Sequence, residues 1–191
     1  MPEAEVRFVA AGTGPIVTDS GVLVLHASHS FEETPTPDIV LVPGGSTGTL
    51  GAMNDQALLD WLRAVHPTTK WTTSVCSGAL ILAAAGLLKD VPATTHWICQ
   101  DVLGSMGAVP QRDKRIVRSG KIATAAGVSA GIDLALWLIG EIHGPEQAEL
   151  SQLVIEYDPQ PPYDAGHPSK VTPELLASAK EHLMAEAQAA V

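Results

Sequence analysis

Cys76 is the residue of this chain best placed to act as a nucleophile. It stands in Thr72-Thr73-Ser74-Val75-Cys76-Ser77-Gly78-Ala79. The Trp, Thr and Val residues before it favour a strand, and the Ala/Leu/Ile run from Leu80 to Leu88 favours a helix. A residue at such a strand-to-helix break is forced into a tight turn, so the positions two before and two after it must be small. Here they are Ser74 and Gly78. That spacing is a nucleophile elbow with sulfur in place of the serine oxygen. The helix N-terminus behind the sulfur offers unpaired N–H groups and a positive dipole end, which favour the thiolate. On spacing alone, a buried structural cysteine at the end of a core strand reads equally well.

Other residues with chemical potential are less specific. Pro43-Gly44-Gly45-Ser46-Thr47-Gly48 lets backbone N–H groups approach a ligand closely. No lysine follows at the spacing of a phosphate-binding loop, and a bare Gly-Gly turn is usually only a turn. His96 lies in Ala93-Thr94-Thr95-His96-Trp97, downstream of the Cys76 helix, and reads either as a general base or as a structural histidine at a strand end. Cys99 has no elbow around it and reads as packing; Trp97 reads as core or pocket wall. The seven histidines show no metal-ligand grouping, so no metal and no cofactor is expected. No His-x-Glu follows near the C-terminus, which argues against a glutamine amidotransferase.

The elements that must position these groups follow in order. Val6–Ala10 alternates as a strand, and Gly21–Ala27 is a second extended stretch. Ile39-Val40-Leu41-Val42 is a short apolar run that predicts a strand buried on both faces of a parallel sheet. Asn54 or Asp55 caps a helix with Leu58, Trp61, Leu62 and Val65 on one face, stopped by Pro67. Leu80–Leu88 is apolar all round and predicts a buried helix. Lys114–Arg118 and Lys121–Ala125 flank the hairpin signal Ser119-Gly120. Ser129 is placed to cap a helix with Ile132, Ala135, Leu136, Ile139 and Ile142 on one face. The proline-rich stretch from Tyr157 to Pro168 excludes regular structure. Thr172-Pro173-Glu174 opens a last helix. Strands alternating with helices predict an α/β doubly wound sandwich over residues 1–191, with one core and no internal repeat.

Composition limits the function classes. Apolar residues make up 46% and charged residues 17%, which is a globular balance. With 21 acids against 11 basic residues and no Lys/Arg cluster, nucleic-acid binding is not expected. Two cysteines make no disulfide framework, and the first residues lack the pattern of a signal peptide. The longest apolar run, about ten residues, falls short of a bilayer span. A cytoplasmic protein without membrane contact is the expectation.

Ser74-Val75-Cys76-Ser77-Gly78, Ala84-Ala85-Gly86-Leu87-Leu88 and Ala93-Thr94-Thr95-His96-Trp97 resemble the PfpI/ThiJ superfamily, which has a flavodoxin-like, class I glutamine amidotransferase-like fold. Ile39–Gly45, Gly127–Ala135 and the Glu156-Tyr157-x-Pro-x-Pro-Pro-Tyr163-x-Ala165-Gly166 tail bring it nearest to the isonitrile hydratases within that superfamily. The resemblance implies hydration of a small isonitrile to an N-substituted formamide through a Cys76 thioimidate. It implies a catalytic Ser77 at a position where the hydratases usually carry Thr. It pairs the Ser77 N–H with that of Gly45 as anion stabiliser, with Gly44 and His96 at the substrate. A homodimer is also implied. The sensor domains of AraC-type regulators share most of these motifs, and a thiol-dependent glyoxalase or stress-response role is a third reading. One departure matters: the family's first strand–helix unit, with an acid that sits against the cysteine, has no counterpart here. Asp19, Glu32 and Glu33 have no motif support as its replacement.

Overall fold

The computed structural model describes residues 4–18 and 21–189, with side chains through residue 185. Among the described residues ten strands occur in chain order: β1 Val9–Ala10, β2 Gly14–Val17, β3 Val24–Ala27, β4 His29–Ser30, β5 Ile39–Val42, β6 Trp71–Val75, β7 Pro92–Ala93, β8 Val109–Pro110, β9 Ile116–Ser119 and β10 Ile122–Ala125. The α-helices are α1 Thr47–Ala52, α2 Gln56–Val65, α3 Gly78–Ala84, α4 Gln100–Ser105, α5 Ala130–His143, α6 Pro145–Val154 and α7 Pro173–Ala189. The main sheet has the order β5-β6-β10-β9; β5, β6 and β10 run parallel and β9 returns antiparallel. Three two-stranded pairs accompany it, β1 with β4, β2 with β3, and β7 with β8.

Strand alternation divides the core between the two faces of this sheet. Val40, Val42 and Ile122 pack with Leu59 and Leu62 of α2 and with α3. Ala123 and Ala125 point the other way, onto Ala130, Leu134 and Leu138 of α5. The α/β sandwich read from the sequence is therefore the architecture found.

Local signals explain most boundaries. The Asp55 carboxylate accepts the N–H groups of Ala57 and Leu58 and starts α2. Gly120, at φ 59°, makes the turn between β9 and β10. Thr172 Oγ1 accepts the Leu175 N–H at 3.3 Å ahead of α7. The run after Cys76 is buried, but its helix ends at Ala84, and Gly86 at φ 80° turns the chain.

Other expectations are corrected. The buried residues of α5 are Ala130, Leu134 and Leu138, whereas Ile132 is 42% exposed. A helix apolar on nearly every side does not specify which stripe meets the sheet. Ser129 stands at the α5 N-cap without a side-chain cap bond, because its hydroxyl accepts from Arg115 at 3.1 Å. In β5, Val40 and Val42 are buried but Leu41 is 49% exposed, since α5 lies over β9 and β10. The segment Gly14–Val17, for which the sequence analysis names no element, is a strand whose partner is Val24–Ala27. Helix α6 was not foreseen; it packs back on α5.

Candidate active site

The backbone at Cys76 carries the clearest signature of a functional position. Cys76 has φ 57°, a left-handed conformation adopted by only three non-glycine residues among those described. An L-residue held there costs roughly 1–2 kcal/mol, which the surrounding structure has to offset. Three contacts do so. The Cys76 N–H donates to Ala126 O at 2.8 Å and Ala125 O at 3.2 Å at the end of β10. Its carbonyl accepts the Thr95 hydroxyl at 2.8 Å. Gly78 opens α3 so close to β5 that a Cβ there would stand 2.2 Å from Val42 O. The thiol lies at the carboxyl end of β6, partly exposed. In an open parallel sheet that edge is where ligands bind.

The glycine loop meets the elbow directly. A Cβ on Gly44 would lie 2.7 Å from Ser77 N and 2.8 Å from Cys76 Cβ, so only glycine lets the loop come this near. The Gly45 N–H donates to Ser77 Oγ at 3.1 Å and to Thr49 Oγ1 at 3.0 Å, and those two hydroxyls are 2.8 Å apart. Ser77 Oγ also donates to Gly45 O at 2.9 Å. Gly44, Gly45, Cys76 and Ser77 therefore form one cluster. Within it the Gly45 N–H is directed at the Ser77 and Thr49 hydroxyls.

His96 lies on the opposite flank. A Cβ on Gly127 would come within 3.0 Å of His96 Cδ2, so the imidazole rests on the loop that leaves β10 beside Cys76. The Thr94 N–H donates to Thr124 Oγ1 at 2.8 Å, and Gln100 Nε2 donates to Thr95 O at 3.1 Å, which fixes the strand end carrying His96. Burial lowers the His96 pKa below its ordinary value of 6.5 and keeps the ring neutral. The sign follows: the unfolded chain binds the proton more readily, so stability decreases as pH falls below about 6.5 and levels off under the folded-state pKa. His66, whose pKa burial and then Lys121 also lower, acts in the same direction. The variant His96→Gln is expected to show a shallower loss of stability between pH 6.5 and 5 in urea titrations. An unchanged slope would mean that His96 titrates alike in both states.

Cys99 packs half-buried against the core, and burial with Cys76 nearby pushes its thiol up to about 11. It stays protonated and is a poor nucleophile. Among the described acids, Glu33 accepts the Ser30 N–H in its own turn; Asp19 lies outside the described residues. The described residues hold no group of three or more His, Cys, Asp or Glu arranged for a metal ion. Thr49 and Thr95 are the contributors that sequence reasoning missed. Thr95 was visible inside the motif but carried no assigned role, and Thr49 only as a hydroxyl four residues beyond Gly45.

A second polar cluster ties the tail to this end of the sheet. Tyr157 donates to Asp133 Oδ1 at 2.8 Å, and Arg115 bridges Asp133 to Ser129 Oγ. The Arg115 carbonyl in turn accepts the Ala126 N–H at 2.9 Å, one residue from the partners of Cys76.

A strained cysteine at a β–α elbow, on the carboxyl edge of an α/β sandwich and faced by a glycine loop, defines a class of cysteine-centred α/β proteins. The chain belongs to the DJ-1/PfpI family, whose model matches residues 2–141. It is 40% identical to an isonitrile hydratase of Pseudomonas putida over 181 residues, covering 95% of this chain and 78% of that protein. The transcriptional regulator CdhR of Pseudomonas aeruginosa is 31% identical over 143 residues, 74% of this chain and 42% of that one. Among solved structures, a ThiJ/PfpI family protein from Pseudomonas syringae superposes with a TM-score of 0.89 at 36% identity, covering 97% of this chain and 76% of the other. Oxidized DJ-1 of Toxoplasma gondii superposes at 0.69 with 25% identity, covering 81% and 84%.

Proposed function

We propose that this protein is an isonitrile hydratase in which Cys76 is the nucleophile. The observation that carries the reading is the left-handed Cys76, held by Thr95 and the end of β10 in a chain similar to an isonitrile hydratase along nearly its whole length. The terminal carbon of an isonitrile is electrophilic and accepts a soft thiolate. The Cys76 sulfur bonds to that carbon, which then takes a proton and becomes a thioimidate. Water adds to the same carbon, the nitrogen is protonated, and the C–S bond breaks to return the thiolate and release the N-substituted formamide. One water is consumed and no redox change occurs.

Ser77 is the group offered to the reacting centre, since it follows Cys76 in the elbow and its hydroxyl is oriented by Gly45 and Thr49. Gly44 supplies the close approach and His96 a neutral imidazole on the other flank. Removing the hydroxyl in Ser77→Ala is expected to lower kcat/KM about 10- to 100-fold and stability by about 1 kcal/mol. Ser77→Thr, which keeps the hydroxyl, is expected to stay within a few-fold of the parent. Equal activity of the alanine and threonine variants would remove Ser77 from the chemistry.

The direct test is purified protein with cyclohexyl isonitrile, following formamide appearance. Absence of turnover, with turnover of methylglyoxal instead, would replace the hydratase reading by a glyoxalase one. The protein is assigned to the cytoplasm, in keeping with its two free cysteines. It is assigned as a homodimer, a state favoured by the β2–β3 hairpin, which leaves Val17, Leu23 and Val24 largely in solvent. Sedimentation at micromolar concentration is expected to give twice the chain mass; a single-chain mass would remove the dimer.

A further inference from the structure

One of the bonds that hold Cys76 in its left-handed turn comes from a segment with no ladder of its own. Residues 94–96 lie between β7 and the 3-10 turn Trp97–Cys99, outside any strand or helix. Thr94 and Thr95 are nonetheless 0% and 1% exposed, so side chains have to meet their backbone groups. The Thr94 N–H is met by Thr124 Oγ1 of β10 at 2.8 Å. The Thr95 carbonyl is met by Gln100 Nε2 at 3.1 Å, and the same nitrogen donates to Thr94 Oγ1 at 3.0 Å. Thr95 in turn directs its hydroxyl at the Cys76 carbonyl, 2.8 Å away.

Gln100 is suited to this task by its placement. It opens α4, is 3% exposed, and sits one turn from Leu103, which is fully buried in the core. Both of its bonds point at residues 94 and 95, and its Oε1 meets no donor among the described residues. The amide cannot be turned over, because its oxygen would then face the Thr95 carbonyl, acceptor against acceptor. A buried amide with one end unpartnered is a poor source of stability, but it is a fixed donor for that carbonyl. A single hydrogen bond and the cost of an L-residue in the left-handed region are of the same order. Releasing Thr95 is therefore enough to change how much of the time Cys76 stays in its turn.

We propose, on the reading of Cys76 as the nucleophile, that Gln100 is a positioning residue: it holds the Thr95 hydroxyl against the Cys76 carbonyl and through that bond keeps the elbow in its left-handed form. The test compares Gln100→Met, which keeps the length without the donors, Thr95→Val, which removes the hydroxyl, and Thr95→Ser, which keeps it. Lys121→Met is the control for general destabilisation. It removes the bonds from Lys121 Nζ to the His66, Pro67 and Thr69 carbonyls, next to the end of β10 away from the elbow.

Amide hydrogen exchange at Cys76 is read relative to Leu134 in α5, a measure that needs no turnover. It is expected to quicken at least about ten-fold in Gln100→Met and in Thr95→Val. In Thr95→Ser and Lys121→Met it is expected to stay within about two-fold of the parent. The Thr95→Val/Gln100→Met double variant is expected to match Thr95→Val within about two-fold, because Gln100 acts through that hydroxyl. For cyclohexyl isonitrile, kcat is expected to fall about ten-fold where exchange quickens, with KM within about three-fold.

Unchanged Cys76 exchange in Gln100→Met would overturn the proposal. So would equal quickening in Lys121→Met, or a double variant showing the product of the two single effects. The expected exchange pattern without turnover in any protein, the parent included, would remove the hydratase reading and uphold the positioning role. If Gln100→Met does not fold, Gln100→Glu, which keeps the shape but sets a carboxylate against the Thr95 carbonyl, is read by the same criteria.

Discussion

Cys76→Ala is expected to lower kcat/KM for cyclohexyl isonitrile by at least about 10⁴-fold, the scale seen when a covalent nucleophile is deleted from a working site. Its fold is expected to persist, because Cys76 is only partly buried and the contacts that hold its backbone come from main-chain groups and Thr95. Cys76→Gly separates chemistry from strain. Glycine adopts φ 57° without the Cβ penalty of roughly 1–2 kcal/mol, while its greater unfolded-state freedom costs about 0.5–1 kcal/mol. That variant is expected to be inactive and no less stable than the parent. That pair of results is what a cysteine held in strain for its chemistry, rather than for stability, is expected to give. Residual turnover within ten-fold of the parent in Cys76→Ala would sink the covalent mechanism.

The second large effect is structural. Gly78→Ala places a Cβ 2.2 Å from Val42 O, 2.8 Å from Pro43 O and 3.0 Å from Pro43 C. All three atoms are backbone, so no side chain can swing aside, and α3 has to retreat from the end of β5. A loss of about 3 kcal/mol or more is expected, equivalent to a fall in Tm of roughly 6–12 °C for a chain of this size. Activity is expected to fall too, because the same retreat separates Ser77 from Gly44 and Gly45. Gly51→Ala is the matched control. It lies within α1 with no atom within 4 Å of its Cβ position, so alanine there is expected to be neutral or stabilising by up to about 1 kcal/mol. A Gly78→Ala protein melting within 2 °C of the parent would show that the elbow tolerates a looser seat.

These effects differ in how far they were legible beforehand. The elbow was readable because its requirements are local: a strand former, a small residue two before, glycine two after, then a helix former. The Asp55 cap, the Ser119-Gly120 turn and the Thr172 cap are equally local, since each is a side chain or φ value acting within four residues. The stripe of α5 that meets the sheet was not readable. Ile132, Leu134, Leu136, Leu138 and Ile139 are all apolar, and only the position of β10 selects Leu134 and Leu138. Leu41 looked like a doubly buried strand residue because its neighbours in sequence are Val40 and Val42. Its exposure depends on where α5 stops covering the sheet, which is a long-range fact.

The site divides along the same line. Residue types and spacing by themselves pointed to the α/β class and to an elbow at Cys76, while the pairing of the glycine loop with that elbow was implied only by the resemblance. Only the tertiary structure decided that Thr49 and Ser77 share the Gly45 N–H, that Thr95 holds the Cys76 carbonyl, and that His96 rests on Gly127. Each of those contacts joins residues on different elements. Their distances follow from how strands and helices stack, and no periodicity along the chain encodes that.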